Sequence, residues 1–227
     1  MRFRLDLGQH VADEHAWSLG YGVLDTALAP AGAESRSASA CAWGCCETQS
    51  EGEARLSAAG SARIDWAIAQ LDLAPKARVL EFGCGNGALA AKLCESHPGL
   101  DLLAIDRSAT AVHRAATRLR THLDSGRLTL QQAALADLDV AAESIDLAFG
   151  VNVNVFWTSP ATAELSVLRR ALRPAGRLLI CFGPPPDQSR QAQILATVAD
   201  HVRAAGFADV TVASDRAGSA VTASRGA

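Results

Sequence analysis

The sequence predicts an α/β domain built on a mainly parallel sheet. From Lys76 onward, apolar runs of strand length alternate with stretches of helical periodicity. The apolar runs are continuous rather than alternating, as in strands buried on both faces. A glycine-rich joint, "GCGNG" at residues 83–87, lies between the first such strand and the helix after it.

The elements follow in order. Residues 51–73 place Ile64, Ala67, Ile68 and Leu71 at helical spacing and read as a helix leading into the sheet. "ARVLEF", preceded by Pro75, is the first strand, and "NGALAAKLCES" the helix after it. "DLLAID" is the second strand. "SATAVHRAATRLRTHL" reads as one helix with Ser108 as N-cap and Val112, Ala115, Leu119 and Leu123 on one stripe. "RLTLQQA" and "SIDLAFGVN" are the third and fourth strands. "ATAELSVLRRAL" is a helix striped by Leu165, Leu168 and Leu172, stopping before Pro174. "GRLLICFG" is the fifth strand, ended by the prolines at 184–186. "QAQILATVADHVRAAG" is a helix with Ile194, Val198 and Val202 aligned and Gly206 as its stop. "DVTVAS" and "SAVTAS" form a closing pair of short strands around "DRAG".

Residues 1–50 differ. The stretch from Ala27 to Gly44 is rich in Ala, Ser and Gly and has no period. This segment is expected to be an N-terminal extension (a lid, a linker or a disordered arm), with the domain proper over residues 51–227. In the 227-residue chain, 49 % hydrophobic and 20 % charged residues suit a packed core, and a net charge of −3 argues against a nucleic-acid partner. No apolar run reaches the length of a membrane span, and the first residues lack an apolar signal core, so a cytoplasmic protein with no membrane contact is expected. Cys84, Cys94 and Cys181 read as small packing thiols in a reducing compartment. Cys41, Cys45 and Cys46 cluster without a second pair at finger spacing, and nothing fixes His10 or His15 as further ligands, so no metal is expected. Composition leaves monomer and homodimer equally open.

Glycine is kept where φ must be positive or where a group must approach the backbone. Formally, Gly83-x-Gly85-x-x-Ala88 with Asp106 beyond it satisfies a dinucleotide fingerprint, which keeps an NAD(P)-dependent oxidoreductase open. Against that reading, Glu81 at the strand end would repel a pyrophosphate. The single tyrosine, Tyr21, and the two lysines, at 76 and 92, offer no Tyr-x-x-x-Lys proton relay. S-adenosyl-L-methionine fits better, because it carries an ammonium and a carboxylate but no phosphate. Glu81 suits the ammonium, the helix N-terminus near Asn86 and Gly87 suits the carboxylate, and Asp106 can accept from both ribose hydroxyls.

"VLEFGCGNG" resembles motif I of the class I S-adenosylmethionine-dependent methyltransferases. "LLAIDRS" resembles the ribose-binding strand end of that family, and "SIDLAFGVNVNVFW" its fourth strand and following loop. "LRRALRPAGRLLI" resembles its fifth-strand turn, with Ala175 where the first glycine of "LRPGG" is usual. The resemblance spans about residues 55–215. It implies a three-layer Rossmann-like fold with a seven-stranded sheet of order 3-2-1-4-5-7-6 and strand 7 antiparallel. It implies that Gly83, Cys84 and Gly85 line the methionine moiety, that Asp106 holds the ribose and that Arg107 lies near the adenine. Ala134 stands where the family often has an aspartate for the adenine amino group. Leu135 would still offer its backbone N–H, and Asp137 would serve under a shifted register.

The function implied is methyl transfer to a small organic acceptor at O, N or C. No "NPPY" follows the fourth strand. In its place Asn152, Asn154 and Trp157 are the expected catalytic, acceptor-side residues, with Phe156 as a wall and Asn152 also touching the cofactor. A continued strand through "VNVNVFW" would put both asparagines on one face. A metalloid methyltransferase using Cys45 and Cys46, and a non-catalytic cofactor-binding regulator, stand as alternatives. Arg114, Arg118, Arg120 and His113 read as a solvated helix face, and Trp66 as a packing residue.

Overall fold

The computed structural model describes residues 61–183 and 187–226. The N-terminal extension expected over residues 1–50, with Cys41, Cys45 and Cys46, lies outside the described residues. A helix at residues 61–69, α1, leads into β1 (Arg78–Phe82). There follow α2 (Ala88–Ser96), β2 (Asp101–Asp106), α3 (Ala109–Arg118), α4 (Arg120–Asp124) and β3 (Leu128–Gln132). A single 3-10 turn (Leu135–Asp137) precedes β4 (Ile145–Val151). Then come α5 (Val155–Thr158), α6 (Thr162–Ala171), β5 (Leu172–Phe182), α7 (Gln188–Ala204), β6 (Ala208–Ser214) and β7 (Ser219–Ser224).

The seven strands form one sheet in the order β3-β2-β1-β4-β5-β7-β6. The neighbours from β3 to β5 pair in parallel, and β7 runs antiparallel to both β5 and β6. This is the predicted order. Two apolar layers flank the sheet. On one face Leu80, Phe82, Ile105 and Ile180 pack under Leu165 and Leu168 of α6 and Val198 and Val202 of α7. On the other, Val79, Leu102, Leu147 and Phe149 pack under Ala67 of α1, Leu89 and Leu93 of α2 and Ala115 of α3. Both faces being covered, the strands carry the unbroken apolar runs seen in the sequence. Cys84, Cys94 and Cys181 are buried free thiols, as read from the sequence.

Side-chain caps set two helix starts. Ser108 accepts from the N–H of Ala111 at 3.3 Å to open α3. Asp187 accepts from the N–H groups of Ser189 and Arg190 to open α7. α1 is tied to the far end of the sheet, where Trp66 Nε1 donates to Asp215 Oδ2 at 2.6 Å in the β6–β7 turn.

Two expectations are corrected. The helix read across residues 108–123 is broken at Leu119, which is fully buried and leaves the helical geometry of its neighbours. The fourth strand, read over "SIDLAFGVN", ends at Val151 and does not continue through "VNVNVFW". Asn152 takes a positive φ of 56° and the chain enters the short helix α5 at Val155. No helix among the described residues is long and apolar enough to cross a membrane.

Candidate functional site

The carboxyl ends of β1, β2 and β4 open on a cavity of about 460 Å³, a size ordinary for a small-molecule site. It lies where ligands bind in open α/β sheets, beyond the carboxyl ends of the strands. Phe82 and Gly83, Asp106 and Arg107, Ala133, Ala134 and Leu135, Asn152 to Val155, Thr158 and Glu164 line it.

The glycine loop is pinned rather than slack. Gly83 and Cys84 both donate their N–H to the Ile105 carbonyl, at 2.8 and 2.9 Å. Gly85 donates its N–H to Asp106 Oδ2 at 2.9 Å, and Ser108 donates to Asp106 Oδ1 at 2.9 Å. Asp106 therefore sets the loop's position as well as facing the cavity, and its oxygens keep further lone pairs for a ligand. A Cβ on Gly83 would come within 2.7 Å of Val153 Cγ2, so glycine there lets the chain after β4 close over β1. Gly85, at φ +57°, has nothing within 4 Å of where its Cβ would stand.

Glu81 is 4 % exposed and lies beneath the loop rather than in the cavity lining. Burial, and then the neighbouring charge of Asp106, push its carboxyl up to about 8. Its Oε2 has no hydrogen-bond partner among the described residues. Burial first, with Glu81 and Asp106 adding to it, likewise pushes the Cys84 thiol up to about 12, which keeps that thiol protonated and unreactive. Asn86 Oδ1 accepts from the N–H of Ala88 at 3.3 Å, so one donor expected for a ligand carboxylate at the start of α2 is already engaged.

The predicted site residues divide accordingly. Gly83, Asp106, Arg107, Ala134, Leu135, Asn152 and Asn154 come together on the cavity. Glu81, Cys84 and Gly85 lie in or under the loop without lining it, and Trp157 stands apart. The Trp157 ring meets Phe182 edge-on at 5.3 Å between centroids. Asn152 uses its carboxamide oxygen to accept from the Gly183 N–H at 3.0 Å, so it braces the ends of β4 and β5 as well as touching the cavity. Asp137 is exposed in the 3-10 turn and is not among the residues that line the cavity. Val153, Val155, Thr158 and Glu164 were not expected. Val153, Val155 and Thr158 reach the cavity because the chain turns at Asn152 and returns through α5, a fold-back with no repeating signal in the sequence, and Glu164 reaches it from the first turn of α6.

The residues present fit S-adenosylmethionine. An orphaned buried carboxylate oxygen lies under the loop, acceptor capacity remains on Asp106, and an apolar wall at Ala133–Leu135 suits a purine. Among the described residues there is no group of three or more His, Cys, Asp or Glu side chains suited to a metal ion.

Residues 79–176 match the methyltransferase-domain family. The chain is 32 % identical over 139 residues to a ubiquinone/menaquinone biosynthesis C-methyltransferase of Syntrophotalea carbinolica, covering 60 % of this chain and 56 % of that protein. It is 30 % identical over 112 residues to an O-methyltransferase of Aspergillus sclerotiorum, covering 49 % and 42 % respectively. The chain thus spans about half the length of the curated relatives it matches. A geranyl diphosphate C-methyltransferase of Streptomyces coelicolor, solved with S-adenosyl-L-homocysteine, shares the fold at a TM-score of 0.60 and 13 % identity, over 73 % of this chain and 79 % of that one. Sheet order, glycine loop and family match agree, and residues 79–176 of this chain form a methyltransferase domain of the class I S-adenosylmethionine-dependent type.

Proposed function

We propose that the domain binds S-adenosylmethionine in the cavity at the ends of β1, β2 and β4 and transfers its methyl group to a small organic acceptor. The observation that carries this is the pairing of a cavity of about 460 Å³ with the buried Glu81 carboxyl, whose Oε2 has no hydrogen-bond partner among the described residues. A buried carboxylate without a partner is costly, and a ligand ammonium is the partner that would settle it.

When bound, the sulfonium supplies an electrophilic methyl group. The chain's own work is then holding and orienting. Glu81 takes the ammonium, directly or through water. Asp106 accepts from the ribose hydroxyls while holding Gly85 in place. Arg107, Ala133, Ala134 and Leu135 bound the adenine. Asn154, exposed at the start of α5 and on the cavity, offers an amide to the acceptor, and Val153 and Val155 exclude water beside it. Trp157 serves mainly by packing on Phe182 and so fixing α5. Asn152 fixes the turn through Gly183 and touches the ligand from there. Positioning of this kind is enough for an in-line displacement, and a base is needed only where the acceptor must lose a proton early.

Ring acceptors methylated at carbon or oxygen are the first to try, because two relatives are named for C-methyl and O-methyl transfer. The test follows S-adenosylhomocysteine formed from S-adenosylmethionine with phenol and quinol acceptors, with NAD and NADP titrated alongside. Acceptor-dependent product and no nucleotide binding are expected. Binding of NAD or NADP with no binding of S-adenosylmethionine would overturn the proposal.

A further inference from the structure

We infer that Glu164 accepts a hydrogen bond from the exocyclic amino group of the adenine and so makes the site specific for a 6-amino purine. This rests on the cofactor reading above. A 6-amino group is a donor and needs an acceptor once water is displaced. The wall at Ala133, Ala134 and Leu135 has no side-chain acceptor. Asp106 already accepts from Gly85 and Ser108 with its two oxygens and is held at the tip of β2. Glu164 is the other carboxylate on the cavity. It is half-buried and has no ion-pair or hydrogen-bond partner among the described residues.

The packing of the elements brings it beside the residues that bound the adenine. α6 lies against the 3-10 turn Leu135–Asp137, and Glu164, in the first turn of α6, lines the same cavity as Ala134 and Leu135. Gly83 and Asn152, which line the cavity as well, follow β1 and β4. An acid in the first turn of a helix also interacts favourably with the helix dipole. That role would show in stability alone and would be blind to the nucleobase.

The experiment separates the two roles by titrating S-adenosylhomocysteine and S-inosylhomocysteine, whose 6-oxo group is an acceptor, into the full chain by calorimetry. Wild type is expected to prefer the adenosyl compound. Glu164→Ala should lose about 10- to 100-fold in affinity for it, the loss typical of a hydrogen bond to a charged group, and keep its affinity for the inosyl compound within about 3-fold. Glu164→Gln, which preserves shape and helix, should narrow the preference in the same direction. Adding Ala134→Asp to Glu164→Ala should restore it. If wild type binds S-adenosylhomocysteine and a folded Glu164→Gln or Glu164→Ala keeps the full preference, this inference is wrong and the cofactor reading stands. If wild type binds neither compound, the cofactor reading fails and takes the inference with it.

Discussion

Glu81 brings a carboxyl into a place where nothing among the described residues hydrogen-bonds its Oε2, and burial raises its pKa from 4.5 to about 8. The folded, ligand-free protein therefore holds a proton there that an unfolded chain releases near 4.5. With more protons bound in the folded state between these values, stability is full below about 4.5 and is lost as pH rises toward about 8. At about 1.4 kcal/mol per pKa unit the effect is on the order of 5 kcal/mol for this residue. Glu81→Gln should remove it, so the ligand-free variant should melt higher than wild type at pH 8 by clearly more than at pH 5. Binding a ligand ammonium calls for the ionised form, so cofactor affinity in wild type should rise with pH up to about 8 and binding should release a proton. Calorimetry in two buffers of unlike ionisation enthalpy reads that proton directly. Proton release that persists unchanged in Glu81→Gln would assign it to another group. The sequence shows that an acid ends β1. That its second oxygen is left without a partner is a property of packing, and no pattern in the sequence carries it.

At the scale of elements, the early part of β5 shows how a substitution leaves a trace. Ala175 has φ +59°, at the position where the "LRPGG" motif that this stretch resembles has its first glycine. A left-handed L-residue costs about 1–2 kcal/mol, part of which is offset because alanine restricts the unfolded chain. Ala175→Gly should stabilise the domain by about 0.5–1 kcal/mol, seen as a melting temperature about 2 °C higher. An unchanged or lower melting temperature would show that the neighbours have adapted to the alanine. The fold-back after β4 gives a second prediction. Asn154→Ala should lower methyl transfer while leaving cofactor affinity within about 3-fold, since Asn154 lines the cavity without a side-chain capping bond. Trp157→Ala should instead cost on the order of 2 kcal/mol of stability through its lost contact with Phe182. Equal effects of both changes on stability alone would return the whole fold-back to a structural role. Such short pieces are the least legible part of the chain. Four residues, Val155–Thr158, and three, Leu135–Asp137, do not complete a period, so only tertiary contacts define them. The break at Leu119 is hidden for a related reason, because the apolar stripe runs straight through it. The long elements are legible because α6 and α7 keep Leu165, Leu168, Val198 and Val202 on buried stripes and the central strands β1, β4 and β5 are mainly apolar and buried.

For the whole molecule, the sheet order joins the glycine loop of β1, the acid at the end of β2, the wall after β3 and the turn after β4 around one cavity. Half of that site is legible in the sequence, namely the residues at strand ends whose positions the topology fixes, such as Gly83, Asp106 and Ala134. Glu164 and Thr158 are not, because they arrive from helices whose sequence signals only packing. The central claim is that this cavity holds S-adenosylmethionine, and a substitution that fills it tests the claim most directly. Ala134 is half-buried on the wall, so a larger side chain there can enter the cavity without disrupting a core layer. The measurement is calorimetric titration of S-adenosylhomocysteine into wild type and Ala134→Phe, with circular dichroism confirming that both are folded. Saturable binding by wild type and loss of at least about 100-fold in the variant is the predicted result, equivalent to about 2.7 kcal/mol. No binding by wild type, or equal affinity in a folded Ala134→Phe, would contradict it.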